Sequence, residues 1–358
     1  MSPAPPSSDH AARDVARDTV LVISGPDATA AAVMTELAQH PVRAVLLDIG
    51  EFPARMAFTA ASTPTGVWRG GIRGVDGASG GHVEVELERV CSVYYRRPTR
   101  FSLPAGMSGS DAVLAEYEAR LGLGGVLAAL GCRWVCEPHA VARAEYKPLQ
   151  LTMLTRAGLR VPRTLITNDH DAALQWAAAL GRPVVCKQLS PVVLTDHGEV
   201  RITYTTPIDL QAVKPDMLAA TAHCLQEQVT DKLFEARITM VGDAAFGVAI
   251  HTESDAAGVD WRSDYAALRY ERYTPPADLV AGMRRYLHTA GLSYGCFDVV
   301  VTPDGVLVYE CNPAGQYLWL EHATGVPISA AIAAYLAAPA TPAPATTDTA
   351  AATVQATR

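Results

Sequence analysis

The sequence predicts an α/β chain, with a β-α-β unit near the N-terminal end and a strand-rich α+β body after it. The first observation is a pair of short apolar runs, 20–23 and 42–48, on either side of a helix-like stretch capped by Asp27. The second is a change in the residue pattern from position 184 onward, where short strand-like runs follow one another. The third is a pair of β-rich runs around positions 303–305, which is typical of a tight hairpin.

The composition is that of a folded chain with a large interior. Of its 358 residues 49% are hydrophobic and only 18% are charged, which excludes disorder throughout the chain. Acidic residues outnumber basic ones by 37 to 29, and the net charge of −8 argues against an extended surface for nucleic acid or anionic membranes. We therefore expect any phosphate contacts to lie in a local basic pocket.

The sequence gives no sign of export or of a membrane segment. Its apolar runs fall short of the roughly eighteen residues that span a bilayer, and its first residues lack the pattern of a signal peptide. The seven cysteines are an odd number and stand mostly in apolar surroundings. We therefore expect a cytoplasmic protein with reduced thiols.

The remaining elements follow in order along the chain. Six glycines between residues 70 and 81 are interpreted as turns of a hairpin region, and 83–88 alternates apolar and acidic residues with the period of a strand. Helices with glycine at or just after their C-terminal ends are expected from about Ser110 to Gly131, from Pro148 to Ala157 and from Asp169 to Leu180. Strands are then expected at 184–188, 200–205, 223–229, 236–241, 245–250 and 266–270, followed by helices at 276–290 and 327–337 around the hairpin.

The hairpin carries the most informative residues. A three-residue loop over 303–305 pairs Thr302 with Val306, and the same register places Asp298 opposite Glu310. Directly opposed side chains of an antiparallel pair have Cβ atoms about 4.5–5.5 Å apart. The sequence therefore predicts two carboxylates side by side on a strand pair that is otherwise apolar.

Asn312 completes this predicted cluster, because it lies two residues after Glu310 and points to the same face. Two carboxylates and an amide oxygen are hard ligands of the kind that Mg²⁺ prefers. Without a cation, the opposed carboxylates would repel each other. We predict that Asp298, Glu310 and Asn312 bind Mg²⁺; the alternative is a surface hairpin with incidental acidic residues.

The spacing Asp298-x11-Glu310-x-Asn312 on a late hairpin resembles the metal-binding signature of ATP-grasp carboxylate–amine ligases of the RimK type. Other segments are similar to the maturases of microviridin-like peptides, the graspetide synthetases: YYRRP (94–98), EYKPLQ (145–150), EARITMVGD (235–243), DWR (260–262) and NPAGQYLWLE (312–321). The similarity extends over most of residues 20–337. It implies an ATP-grasp fold with an N-terminal βαβ pre-ATP-grasp domain, and ATP and Mg²⁺ as cofactors.

The resemblance also implies a domain organisation. We expect an N-terminal pre-ATP-grasp domain at 19–137, a central ATP-grasp subdomain at 138–230 with the lid and the ATP lysines, and a C-terminal ATP-grasp subdomain at 231–337 with the metal site. The segments 1–18 and 338–358, which are rich in small residues and proline, are predicted to be disordered tails.

Two lysines are expected to bind ATP. Lys187 ends the buried run that starts at Val184, where a lysine is uncommon unless its ammonium has a partner such as a phosphate. Lys147 stands at a helix entrance. In the family the matching lysines contact the ATP phosphates and the adenine side of the cleft. The alternative for Lys187 is a side chain that extends to solvent.

The resemblance assigns roles to five further positions. Gln226, Glu227 and Val229 match the linker whose backbone groups hold adenine, with an ordinary strand edge as the alternative. Arg237 matches an arginine that stabilises the phosphate, and its planar fork suits an acyl phosphate. Arg262 is predicted to have a similar catalytic role, with a salt bridge in a solvated loop as the alternative.

The activity implied by the resemblance is macrocyclisation of a ribosomal precursor peptide that carries a leader sequence. ATP would phosphorylate an Asp or Glu side chain, and a Ser or Thr hydroxyl or a Lys amine would displace phosphate to form an ω-ester or ω-amide. A homodimer is also expected, and nucleic acid or membrane partners are not. Three alternatives remain: a ligase that adds an amino acid or amine to a separate carboxylate, a nucleotide-binding regulator without turnover, and a kinase-like phosphotransferase.

Overall fold

A computed structural model describes residues 16–189, 204–252 and 268–339 in full, and the backbone of 194–196 and 199–201. Within these ranges no helix is both long enough and apolar enough to cross a membrane. The seven cysteines all fall inside the described ranges, and each is free, as expected. Of the two predicted tails, 1–15 and 340–358 lie outside the described residues.

The chain alternates helices and strands throughout, which confirms the mixed α/β class. The first part contains β1 (Thr19–Ser24), α1 (Ala28–Leu37), β2 (Arg43–Leu47), β3 (Ala57–Ser62), β4 (Trp68–Val75), β5 (His82–Glu86), β6 (Val90–Arg97), α2 (Gly109–Ala128) and β7 (Arg133–Val135). The middle part contains α3 (Pro138–Ala144), α4 (Lys147–Arg156), β8 (Thr164–Thr167), α5 (His170–Leu180), β9 (Val184–Lys187), β10 (Leu194–Asp196), β11 (Glu199–Arg201), β12 (Thr206–Pro207), α6 (Pro215–Ala219) and β13 (His223–Glu227). The last part contains β14 (Phe234–Val241), β15 (Ala244–Thr252), β16 (Leu268–Tyr273), α7 (Ala277–Ala290), β17 (Tyr294–Thr302), β18 (Gly305–Asn312), α8 (Leu318–Thr324) and α9 (Ile328–Ala337).

The predicted β-α-β unit forms a parallel sheet, in the order β2-β1-β6-β7. Every residue of β1 is buried, as expected for a central strand of a parallel sheet. Asp27 caps α1 as predicted, because its carboxylate accepts a hydrogen bond of 2.9 Å from the Ala30 N–H. Local capping and the apolar strand pattern together determine this unit.

The interpretation of the glycine-rich segment as turns is wrong for Gly70, Gly71 and Gly74, which lie inside β4. This strand is the middle one of an antiparallel sheet, in the order β3-β4-β5. Gly70 has a φ of +143°, and a Cβ atom there would lie 2.1 Å from the Thr59 carbonyl oxygen on β3. Glycine is therefore required by the close approach of two strands, and only the glycines within 76–81 form a turn.

The central part of the chain forms a second antiparallel sheet, in the order β12-β9-β13-β8. A small core beneath it includes residues of both α5 and α6. The predicted glycine end of α5 is confirmed, since Gly181 has a φ of +63°. The register pairs Lys187, the last residue of β9, with Cys224 of β13.

The C-terminal sheet is antiparallel, in the order β16-β15-β14-β17-β18. Helices α4 and α7 pack against one of its faces, where Ile238, Phe297 and Val299 are buried. Side chains alternate between the two faces of a strand, so Arg237 and Asp298 fall on the opposite face. The alternation of residue types along β14 and β17 thus separates an apolar face from a polar one.

The opposite face of this sheet meets the N-terminal unit. One core joins Val20 and Tyr94 of the parallel sheet to Tyr294 and Cys296 of β17. Helix α9, near the end of the described chain, packs on α1 near its beginning. The N-terminal unit therefore lies beside the same face of the sheet that carries Asp298.

Candidate active site

The predicted turn of the hairpin is wrong. Thr302 pairs with Gly305 rather than with Val306, so the loop has two residues, 303 and 304, instead of three. Gly305 has a φ of +115°, a conformation that glycine adopts at little cost. Near the loop, the register is therefore shifted by one residue from the expected one.

A β-bulge restores the predicted register further along the hairpin. Val299 pairs with Val308, whereas Asp298 pairs with Glu310, so Tyr309 is the extra residue of the bulge. Asp298 therefore lies opposite Glu310, as the sequence predicts. The two errors cancel because one residue fewer in the loop is balanced by one residue more in β18.

Asp298, Glu310 and Asn312 form one hydrogen-bonded cluster. The Asn312 Nδ2 donates to Asp298 Oδ2 at 3.1 Å and to Glu310 Oε1 at 3.5 Å. Asp298 is buried, whereas Glu310 and Asn312 are half-buried. Because one amide reaches both carboxylates, the three groups are close enough to share a single cation.

Arg237 belongs to this cluster. It is the cross-strand partner of Asp298, and its Nε and Nη2 donate to the two carboxylate oxygens at 2.8 and 2.9 Å. Its Nη1 donates to the Gln316 carbonyl oxygen at 2.9 Å. Both charged side chains are buried, so the two-pronged pair is held away from water and fixes the carboxylate orientation. The contact of Arg237 with a transferring phosphate stays a prediction.

Lys147 reaches the cluster from the first turn of α4. Its Nζ donates to Glu310 Oε2 at 2.6 Å. On the next turn of the helix, buried Gln150 binds the backbone of Cys311: its Nε2 donates to the carbonyl oxygen at 2.8 Å, and its Oε1 accepts from the N–H at 3.0 Å. Gln150 thereby ties α4 to the strand that carries Glu310 and Asn312.

Lys187 approaches the hairpin from the central sheet. Its Nζ lies 5.2 Å from the ring centroid of Tyr309, the bulge residue of β18, which is within cation–π range. Burial raises the pKa of the neighbouring Cys224 thiol, and the charges of Lys187 and Lys147 act in the opposite direction. Both lysines therefore come close to the same thiol, at the side of the hairpin where Glu310 lies.

The segment predicted to hold adenine lies at the end of β13. Gln226 is buried, and its Nε2 donates to Thr164 Oγ1 at 2.9 Å. Glu227 is bound by Arg163, whose carbonyl oxygen accepts from the Glu227 N–H at 3.0 Å and whose Nε donates to the Glu227 carboxylate at 2.8 Å. Val229 follows the strand, and its backbone N–H has no hydrogen-bond partner among the described residues. The side chains of Gln226 and Glu227 are thus engaged within the protein, so a base bound there would contact the backbone.

The donor set of the cluster fits Mg²⁺. Asp298, Glu310 and Asn312 offer carboxylate and amide oxygens, although the Asn312 amide must rotate to turn its oxygen toward a cation. In the part of the chain that the structure describes, no three His, Cys, Asp or Glu side chains could hold a metal ion together, so the amide is needed as the third protein ligand. A bound cation would also compete with Lys147 for Glu310. The other predicted catalytic arginine, Arg262, lies outside the described residues.

Three residues that surround the cluster have no role predicted from the sequence. Gln150 had a usable signal, because it lies three positions after Lys147 on the same helix face as buried apolar residues. For Gln316, the sequence offers only its place in the segment that follows Asn312. Tyr309 had no signal, since its place depends on a bulge that the sequence pattern does not show.

No protein-family model matches the chain. Solved structures match it over most of their length. The macrocyclase MdnC from Microcystis aeruginosa MRC, bound with the precursor peptide MdnA, is 29% identical with a TM-score of 0.74, and the match covers 89% of this chain and 98% of that one. A RiPP-associated ATP-grasp ligase from Chryseobacterium gregarium, in complex with ADP and a leader and core peptide, is 22% identical with a TM-score of 0.79, covering 90% and 98%. The macrocyclase MdnB from Microcystis aeruginosa MRC is 23% identical with a TM-score of 0.70, covering 89% and 99%.

The chain therefore has the ATP-grasp fold, and the fold predicted from the hairpin and its flanking segments is confirmed. Within that class, the macrocyclase MdnC is 29% identical to this chain, which confirms the resemblance to the peptide-modifying branch.

Proposed function

We propose that the chain is an ADP-forming ATP-grasp ligase that activates Asp or Glu side chains of a ribosomal precursor peptide and closes ω-ester or ω-amide macrocycles. The observation that carries this proposal is the cluster of Asp298, Glu310 and Asn312, which Lys147 and Lys187 approach from two other elements. The likeness to MdnC, a macrocyclase bound with its precursor peptide, supports the substrate class.

The nucleotide would lie between the central sheet and the C-terminal hairpin. Lys147 and Lys187 supply positive charge for the phosphates of ATP, since both approach the same side of the hairpin. The segment from Gln226 to Val229 contributes backbone groups to adenine, of which the Val229 N–H is a donor. The occupied side chains of this segment support a role for its backbone rather than for its side chains.

The hairpin residues act on the transferring phosphoryl group. Mg²⁺ held by Asp298, Glu310 and Asn312 would neutralise phosphate charge. Arg237 keeps the Asp298 carboxylate oriented through its two hydrogen bonds and adds a positive charge next to it. In the proposed reaction, Arg262 is a second arginine that contacts the activated carboxyl group.

The chemistry proceeds in two displacement steps. A peptide carboxylate attacks the γ-phosphorus of ATP, the bond to the β-phosphate oxygen breaks, and ADP leaves. A Ser or Thr hydroxyl or a Lys amine then attacks the acyl carbon, the bond from that carbon to the phosphate oxygen breaks, and inorganic phosphate leaves with the proton of the nucleophile. The enzyme forms no covalent bond in either step, which agrees with buried cysteines such as Cys136, whose pKa burial raises to about 12.

The product mass tests the proposal. The substrate to use is a short peptide, encoded next to the gene, that contains Thr or Ser together with Asp or Glu, incubated with ATP and Mg²⁺. We expect the loss of one water and the release of one ADP for each ring closed. A mass gain equal to a second molecule minus water would support an intermolecular ligase instead, and a stable phosphorylated peptide would support a kinase.

Glu310→Gln is expected to abolish ADP formation and leave the fold intact. The substitution removes a carboxylate ligand and the ionic partner of Lys147 at a half-buried position. ADP release and circular dichroism check the two statements. Asp304→Asn, in the exposed turn of the same hairpin, is the control with unchanged activity; ATP turnover retained in Glu310→Gln would contradict the metal assignment.

We also infer that the chain forms a homodimer through α2. Val113, Leu114, Tyr117 and Leu121 are 52–64% exposed on this helix, and the last three share a face by their spacing. A second copy of the chain would cover this apolar face. Light scattering should give the mass of a dimer for the wild type and of a monomer for Leu121→Asp.

The free cysteines support the cytoplasm as the compartment of the protein, because thiols stay reduced there.

A further inference from the structure

The segment that follows the predicted metal ligand Asn312 is held by an unusual set of hydrogen bonds. The turn segment, Pro313–Gln316, presents four successive carbonyl oxygens, and each accepts a hydrogen bond from a side chain on a different part of the chain. The donors are Cys136 Sγ to Pro313 O at 3.4 Å, Arg96 Nη1 to Ala314 O at 2.6 Å, Tyr294 Oη to Gly315 O at 2.8 Å and Arg237 Nη1 to Gln316 O at 2.9 Å.

These donors come from two sheets. Arg96 is in β6, and Cys136 directly follows β7, so the first is in the N-terminal parallel sheet and the second is at its edge. Tyr294 and Arg237 belong to the C-terminal sheet. The turn segment is therefore bonded to both parts of the chain at once, which makes it a hydrogen-bonded link between the N-terminal unit and the predicted metal cluster.

The turn segment also lies directly against Asn312. The Gly315 N–H donates to the Asn312 carbonyl oxygen at 3.1 Å. A Cβ atom at Gly315 would lie 2.6 Å from the Cβ of Cys296 and 3.2 Å from that of Asn312. Because there is no room for even a methyl group, a displacement of this turn is transmitted to Asn312. Gln316 transmits the same displacement to Arg237 through its carbonyl oxygen.

Arg96 is the charged donor from the N-terminal unit, and burial makes its position costly. Its side chain is 0% exposed, its ion pair with Asp27 is 3.5 Å long, and its buried Nη2 has no hydrogen-bond partner among the residues that the structure describes. A buried guanidinium with incomplete pairing contributes little to stability, and an apolar side chain of similar volume serves packing as well. The contact that the guanidinium adds is the short bond to the Ala314 carbonyl oxygen.

We infer that Arg96 is a positioning residue, which acts through the turn segment to set the places of Asn312 and Arg237 for binding of the magnesium nucleotide. The inference rests on the proposed function. It adds a role for the N-terminal unit. This unit contributes no ligand to the predicted cluster, but its hydrogen bonds to the turn segment fix the geometry of the cluster.

Binding of Mg²⁺ with ADP, measured by calorimetry without any peptide, tests the inference in the full chain. Arg96→Met is expected to weaken this binding about tenfold and to slow ADP formation by a similar factor, since it removes a charged hydrogen bond. Arg96→Lys should recover part of the loss. Arg97→Met, at the exposed neighbour on the same strand, is the matched control and should stay within about twofold of the wild type.

Tyr294→Phe provides a second and milder test, because it removes only the hydroxyl that binds the Gly315 carbonyl oxygen. We expect binding to weaken about threefold, and this variant decides the matter if Arg96→Met does not fold. A lowered melting temperature with unchanged binding by the folded protein would overturn the inference, since a purely structural role gives that result. Failure of the wild type itself to bind Mg²⁺ with ADP would instead refute the proposed function.

Discussion

The candidate site has two halves, the proposed metal side and the proposed nucleotide side, and they are held together by different means. On the metal side, Arg237, Asp298 and Asn312 stand on neighbouring strands of one sheet, and their side chains bind one another. On the nucleotide side, Lys187 lies at a strand end and Val229 beyond one. The metal side thus depends on strand register and side-chain chemistry, and the nucleotide side on backbone position and separate positive charges. Substitutions should therefore cost much more on the first side than on the second.

Asp298→Asn should produce the largest effect on both stability and activity. It breaks the buried pair with Arg237 and at the same time removes a predicted metal ligand. An arginine left buried without its carboxylate costs about 3 kcal/mol of the free energy of unfolding. We expect a loss of that size in urea denaturation, and no detectable ADP formation. Because Asp298 is buried, the effect on stability should exceed that of Glu310→Gln on the same hairpin.

Asp304→Asn is the matched control for this experiment as well. Asp304 lies in the turn of the same hairpin and is exposed. Its replacement should change the free energy of unfolding by less than about 0.5 kcal/mol. Equal stabilities of Asp298→Asn and Asp304→Asn would contradict the view that the metal side is held by its paired side chains.

Lys187→Met should have an intermediate effect that is confined to the nucleotide. The lysine is half-buried and its charge lies over the Tyr309 ring, so its loss should change the free energy of unfolding by less than about 1 kcal/mol. The apparent KM for ATP should rise about tenfold, since the proposed charged contact with phosphate is lost. Steady-state kinetics check this value, and Lys214→Met, at an exposed lysine directly before α6, should leave it unchanged.

The same comparison shows how far the sequence could predict the site. Opposition of Asp298 and Glu310 was predictable, because charged residues interrupt two apolar strands at positions that face each other. The strand register that produces this opposition was not predictable, since the loop length and the bulge at Tyr309 depend on hydrogen-bond geometry that residue types do not specify. Similarly, glycine is a residue typical of turns, and only the close approach of the Thr59 backbone explains why Gly70 lies in a strand.

Long-range contacts account for the remainder. The cap at Asp27 and the glycine end of α5 depend on neighbouring residues, and both were predicted. Arg96 and Gln150 bind backbone groups that are 218 and 161 positions away along the chain. The sequence marks Gln150 as a polar residue on a buried helix face, but a single sequence carries no signal for partners so far away along the chain, so these contacts could be seen only in the structure.

Arg163→Met should have the smallest effect and offers the sharpest test of a backbone-based nucleotide side. The side chain of Arg163 is 55% exposed, and its pair with Glu227 therefore contributes less than about 1 kcal/mol to the free energy of unfolding. The hydrogen bond between the two backbones is retained, so the place of the Glu227 main chain is preserved. We expect the KM for ATP to stay within about twofold of the wild type. A tenfold rise would show that adenine binding depends on this side-chain pair, and the contrast between the two halves of the site would then fail.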